Sequence, residues 1–308
     1  MLGKILREIF YWVLNMSITA GMTGLPVMAF RRIKTLPRRL TVLLWAIPFL
    51  RMAVPFGLNS PYSLMALVTK ITAKTIVVYE PAEGVAFSMM NSVMAADSYF
   101  PVTYKEKLLE KVFGAAAALW IIGALAIVLM LTAVYFTTLR EMRGAAHLRD
   151  NVYLSDKSAA PAVYGVIRPR IILPAVWRDR DMELILLHEE THIRRADNLW
   201  RMLAFLIVAA HWFNPLCWVF LKTFLADLEL SCDECVLVKL GGARAKEYAR
   251  TLLESGQSKT VFASAFGGAK IRTRIENILS FRKMTGLSLT VCAAWIAAIF
   301  HALLTNAG

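Results

Sequence analysis

Three stretches of this 308-residue chain carry no charged side chain over lengths that cross a bilayer: residues 9–30, 112–139 and 284–308. A hydrocarbon core takes roughly 20 helical residues, so each run is long enough for one span. A fourth, residues 40–58, is broken only by Arg51. With 57% hydrophobic residues and a mean hydropathy of +0.53, the composition excludes an ordinary soluble protein. The first run is too long and too richly flanked for a cleaved signal peptide. The chain is expected to be mostly α-helical and multi-pass, crossing the lipid bilayer four times. Arg51 is either functional, as ionisable residues at membrane depth often are, or reaches the headgroups from near the end of its span.

A net charge of +13 raises the possibility of nucleic acid, but the positions of the charges argue against direct nucleic-acid binding. Arg31, Arg32, Lys34, Arg38 and Arg39 crowd the short loop after the first span, with no acid among them. The positive-inside rule places that loop in the cytoplasm and the N-terminus outside. Residues 1–58 then form two transmembrane helices and their basic loop. Residues 59–111 form an external loop whose five lysines balance five acids. Residues 112–139 return inward as the third span, residues 140–283 are cytoplasmic, and residues 284–308 form the fourth span with a short outer tail. Arg272, Arg274, Arg282 and Lys283, just before that last span, agree with this orientation.

Within residues 140–283 stands His188-Glu189-Glu190-Thr191-His192, a match to H-E-x-x-H. Positions i and i+4 of a helix share a face, so two imidazoles can meet one metal ion. Glu189 is placed to take a proton from the attacking water. The bland alternative is a chance match on a polar helix face. Only five histidines occur in the chain, and these two have ligand spacing with the acid in place. Asp181 and Glu183 supply acids to the first turn, as does Asp179. Ahead of the motif, residues 140–150 read as a polar helical extension, and residues 151–154, 162–166 and 170–173 as short strands of a small antiparallel sheet. That sheet could bind an extended peptide at its edge or only cover the catalytic helix.

A catalytic zinc needs a third protein ligand and an open position. Glu229 and Asp233 stand at i and i+4 downstream; Glu229 would complete a His₂Glu set and Asp233 would fix a ligand histidine's tautomer. Asp227 and Glu234 are fallback ligands. Residues 202–221 are apolar enough to span, but a straight span would put Glu229 across the bilayer from His188. The break at His211-Trp212-Phe213-Asn214-Pro215 allows a membrane-associated hairpin instead. His211 is a candidate stabiliser of the transition state, with a structural turn-capping role the alternative. Arg194, Arg195 and Asp197 can brace the motif helix, or simply form a solvated face. Cys217, Cys232, Cys235 and Cys292 lie in or next to a reducing compartment, so disulfides are not expected; Cys232 and Cys235 read as helical cysteines three apart.

Several of these residues together resemble the BlaR/MecR-type membrane metallopeptidases, the sensor-transducers of bacterial β-lactam resistance. The resemblance rests on residues 162–174 (AVYGVIRPRIILP), 188–197 (HEETHIRRAD), 211–215 (HWFNP), 229–233 (ELSCD) and 248–252 (YARTL), and on the region of Arg274-Ile275-Glu276. It implies a gluzincin-like zinc protease domain containing a small β-sheet, in a bacterial cytoplasmic membrane. In it His188, His192 and Glu229 would hold Zn2+, Glu189 would be the general base, and Asp233 and Asp197 would support the ligands. It further implies an antirepressor: cleavage of a cytoplasmic winged-helix transcriptional repressor and of the protein's own connector. The polar segment 277–283 is the expected self-cleavage segment, at Ser280 and Phe281. Full-length sensors of this type carry a penicillin-binding domain after the last span. No Ser-x-x-Lys follows residue 284, so the chain is expected to lack its own sensor, to depend on a separate sensor protein or a homodimer partner, or to represent only the transmembrane protease portion. Competing readings are a non-proteolytic signalling scaffold with a closed metal site and a general quality-control metalloprotease.

Overall fold

The computed structural model describes residues 2–33, 35–72, 107–158, 160–178, 181–255 and 268–307. Most of the expected external loop, together with Lys34 and Asp179, lies outside them. Helix α1 (Leu2–Phe30) is followed by a column of α2 (Arg38–Thr41), a 3-10 turn (Val42–Trp45) and α3 (Ala46–Ala53). This second apolar segment ends as helix at Ala53 because Val54, which precedes Pro55, is extended at φ −118° and ψ 115°. Strand β1 (Asn59–Ser60) and α4 (Leu64–Thr72) follow, then the long α5 (Lys107–Met142).

A four-stranded sheet comes next: β2 (Ala146–Arg149), β3 (Val152–Ser155), β4 (Ala162–Tyr164) and β5 (Arg170–Pro174), in the spatial order β2-β3-β5-β4. Two expectations are corrected here. Residues 146–149 are a strand, not helix: α5 stops at Met142, Asp150 turns the chain at φ 44°, and pairing to β3 overrides the polar helical pattern. The sheet is mixed rather than antiparallel. Strand β5 inserts between β3 and β4, so Val152 lies opposite Ile171 and Leu154 opposite Leu173 in a parallel pair.

Beyond the sheet run α6 (Glu183–Arg194), α7 (Asp197–Ala210), α8 (Pro215–Leu240), α9 (Ala245–Ser255), α10 (Ile271–Leu279), α11 (Gly286–Leu304) and β6 (Asn306–Ala307). Asp181 Oδ1 accepts the Glu183 N–H at 2.9 Å before α6. The break in the apolar run is sharp. Asn214 is the N-cap of α8 and accepts from the Leu216 N–H at 2.9 Å, with Pro215 in the first turn. Helices α7 and α8 therefore form a hairpin. Helix α7 starts beside the sheet, where Asn198 Nδ2 donates to the Val163 and Gly165 carbonyls at 3.0 Å, and the longer α8 runs on to pack Val236 and Leu237 against Leu184 and Tyr248.

The tip of that hairpin docks among the apolar helices. Asn214 Nδ2 donates to Ser17 Oγ at 2.8 Å, and Trp212 Nε1 to the Trp120 carbonyl at 3.1 Å. A Cβ at Gly24 would lie 2.3 Å from the Phe220 ring, and one at Gly123 2.5 Å from the Trp212 ring; only glycine admits these contacts. Phe220, Leu221, Phe224 and Leu225 share one buried core with residues of α1, α3 and α11. Helices α1, α5 and α11 are long and apolar enough to cross a membrane. Leu119, Ile122 and Leu129 of α5 and Leu287 and Val291 of α11 are exposed, as a lipid-facing surface requires. Arg51 is fully buried and donates to the carbonyls of Leu303 and Thr305 and to Asn306 Oδ1. It thereby ties α3 to the far end of α11.

Candidate metal centre

Helix α6 presents His188, Glu189 and His192 on its buried side. His188 Nε2 and His192 Nε2 lie 3.2 Å apart, and Glu229 Oε2 of α8 lies 3.8 Å from each. Two nitrogens bound tetrahedrally to zinc at about 2.0–2.1 Å are separated by about 3.3 Å, so the three atoms are spaced as ligands of one ion. The hydrogen bonds behind the rings agree. His192 Nδ1 meets Asp197 Oδ2 at 2.6 Å. His188 Nδ1 meets the Tyr248 hydroxyl at 2.8 Å, and that hydroxyl donates to Asp233 Oδ1 at 2.7 Å. With each Nδ1–H donated backwards, both Nε2 lone pairs face Glu229. Zinc fits this donor set.

The corner between α6 and α7 positions Asp197. Ala196 sits there in the left-handed region at φ 53°, a conformation costing about 1–2 kcal/mol for a residue with a Cβ. Asp197 follows as the first residue of α7, held also by Arg195 Nε at 3.3 Å. Glu190 points outward and pairs with Arg194.

Electrostatics follow from burial and neighbours. Burial pushes the Glu189 carboxyl above its ordinary value, partly opposed by His192. Burial also lowers His188 well below its ordinary value, with His192 and Arg274 adding to the effect; a neutral imidazole is what a metal requires. For Glu229, burial favours the neutral form, but His192, Arg274 and Arg201 outweigh it and hold the group well below the usual range. His192 is itself raised well above its ordinary value, against burial, by Cys232, Glu229 and Asp197. Arg201 donates to Glu229 Oε1 at 2.5 Å.

Not every sequence candidate reaches the site. His211 lies beyond the other end of α7, about 20 Å of helix away, with Nε2 3.0 Å from the Met52 carbonyl; the structure gives it the turn-capping position. Asp227 and Glu234 face away from the histidines. Ser280 caps the end of α10 and is exposed, while Phe281 packs beside Leu184 and Tyr248. Four residues were not assigned to the site from the sequence, although all but Arg201 were named in its motifs. Tyr248 and Arg274 come from α9 and α10, and Arg201 from α7, with no spacing rule linking them to the motif. Cys232 packs with its sulfur 3.6 Å from His188 Nδ1, and its sulfur and ring nitrogens of His188 and His192 all lie within 4.8 Å of one another. Glu229 is the better third donor, because it faces the free Nε2 atoms, whereas His188 Nδ1 is already engaged by Tyr248. All four cysteines are free.

Fold and donor set together define a helical protein with membrane-length helices and a buried His–Glu cluster able to hold a metal ion. The model of the BlaR1 peptidase M56 family matches residues 11–278, and the chain belongs to that family. It is 31% identical over 157 residues to Regulatory protein BlaR1 of Bacillus licheniformis, covering 48% of this chain and 26% of that protein. It is 30% identical over 98 residues to the Methicillin resistance mecR1 protein of Staphylococcus aureus, covering 30% of this chain and 17% of that one. The matched region is thus about a quarter or less of these relatives' length.

Proposed function

We propose that this protein is a multi-pass membrane zinc endopeptidase of regulated signalling, its peptidase site at the cytoplasmic face. The observation that carries the reading is the convergence of His188 Nε2, His192 Nε2 and Glu229 Oε2 beside the buried Glu189. Bound there, zinc supplies Lewis acidity toward the scissile carbonyl and lowers the pKa of water. Glu189, raised by burial toward neutrality, takes the proton of the attacking water and passes it to the leaving amine. Asp197 and the Tyr248–Asp233 pair keep the two imidazoles oriented. The basic loop between α1 and α2 supports the cytoplasmic placement, and so does the hairpin that returns Glu229 to the histidines. Substrates that the resemblance implies are a winged-helix transcriptional repressor and the chain's own connector at Ser280, which is exposed, and Phe281, which is half-buried, between α10 and α11.

Zinc content and fragment masses of purified wild type and Glu189→Ala test the reading. One zinc per chain in both, with fragments ending at residue 280 in the wild type alone, is the expected result. Identical fragments in both would remove Glu189 from the chemistry. A second reading rests on Cys232: four protein groups within reach of one ion could close the site as a structural zinc, in a non-proteolytic scaffold. Retention of a four-ligand spectrum by cobalt-substituted protein, lost in Cys232→Ala, would favour it.

A further inference from the structure

Peptide hydrolysis needs a donor for the carbonyl oxygen as it becomes negative, and His211 does not reach the site. Resting on the peptidase reading above, we propose that Arg274 is that donor, a catalytic residue contacting the substrate's scissile carbonyl. Its guanidinium is aimed rather than loose: Nε and one terminal nitrogen grip the two oxygens of the fully buried Asp233 at 2.8 and 2.7 Å. That same terminal nitrogen lies 3.2 Å from His188 Nε2, and the other lies 3.5 Å from Glu229 Oε2. The cation therefore borders the two ligand atoms contributed by different helices. A nitrogen lone pair given to a metal accepts no hydrogen bond, so the N–H directed at His188 Nε2 is left for an oxygen arriving beside it.

The other groups near this point are committed elsewhere. Tyr248 bridges His188 Nδ1 and Asp233, and Arg201 holds the opposite oxygen of Glu229. Among the described residues, Arg274 alone joins a fixed fork to an N–H facing the ligand nitrogens. Guanidinium suits the task because it stays charged and donates in a fixed plane. Segment 268–274 passes directly over the ligand helix, since a Cβ at Gly268 would lie 3.5 Å from Glu229 Cγ.

The test compares two probes on the full chain in detergent. A phosphinic dipeptide presents a tetrahedral anion that needs the donor; a mercaptoacyl dipeptide binds through one sulfur and does not. Arg274→Lys keeps a cation for Asp233 but loses the fork. It should keep one zinc per chain and its affinity for the thiol, and lose about 100-fold in phosphinate affinity, the scale on which an oxyanion donor acts. Arg201→Lys should leave the ratio of the two affinities unchanged. If Arg274→Lys is poorly folded, Arg274→Gln, which keeps an amide donor for Asp233 and leaves the Asp233–Tyr248–His188 chain untouched, should show the same selective loss. Equal loss for both probes, loss of zinc, or no loss at all would overturn the assignment while leaving the peptidase reading in place. A wild type without zinc and without affinity for either probe would overturn the peptidase reading itself.

Discussion

Glu229 and Asp233 lie four residues apart on α8 and face the histidines; Asp227 and Glu234 lie seven apart on the same helix and face the loop between α1 and α2. Asp227 takes both Arg31 Nε and a terminal Arg31 nitrogen, at 2.8 and 2.7 Å, and the Trp45 indole at 2.8 Å. Glu234 accepts the backbone N–H groups of Arg38 and Arg39, donors that the start of a helix leaves without partners. All four acids are of the kind that binds metal. What separates them is imidazole: Glu229 and Asp233 face His188 as well as their guanidinium partners, whereas Asp227 meets guanidinium and indole, and Glu234 backbone amides. The first pair faces the candidate site, and the second clasps the apolar helices to the helix that carries Glu229.

Substitutions that hit one pair and spare the other separate these two roles. The largest effect is expected from Glu229→Ala beside Asp227→Ala. Glu229→Ala should weaken zinc by more than the ~100-fold upper range for groups behind a ligand. Asp227→Ala should keep one zinc per chain and lose about 3–5 kcal/mol of stability, the cost of stripping one partner from a buried pair. Zinc titration and thermal unfolding read the two; loss of zinc from the Asp227 variant would merge the roles. Next, Asp197→Ala removes the acceptor behind His192 and should weaken zinc about 10–100-fold with little change in melting temperature. A pH series on the first pair's side comes third. Glu189 acts as a base only when ionised, and burial has raised its pKa, so cleavage should fall as pH drops through a midpoint above that of an ordinary glutamate. A midpoint at or below the ordinary value would place the base elsewhere. Smallest is Glu234→Gln, which keeps an acceptor for the two N–H groups and should cost about 1 kcal/mol with zinc unchanged.

Much of this was legible in the chain itself. Uncharged runs of spanning length, an i,i+4 histidine pair and the Asn-Pro break are local signals, each with its own period or turn chemistry. The hairpin could be argued because Glu229 had to return to His188. Other features arise only in three dimensions. Arg274 meets Asp233 across 41 positions, and Tyr248 reaches His188 across 60, so neither has a spacing to recognise. The parallel pairing of β3 with β5 leaves β4 at the sheet edge, a strand order that no local pattern specifies. Of the two readings His211 allowed, the structure matches the turn-capping one, with the ring against the Met52 carbonyl at the far end of α7.

The glycine notches at Gly24 and Gly123, filled by Phe220 and Trp212, make the catalytic hairpin and the apolar helices one folding unit. An excised soluble fragment starting after α5 would bare those rings and the core around Phe224 and Leu225 to water. Its insolubility would then reflect a missing half of the interior, and no choice of tag or refolding buffer would replace it.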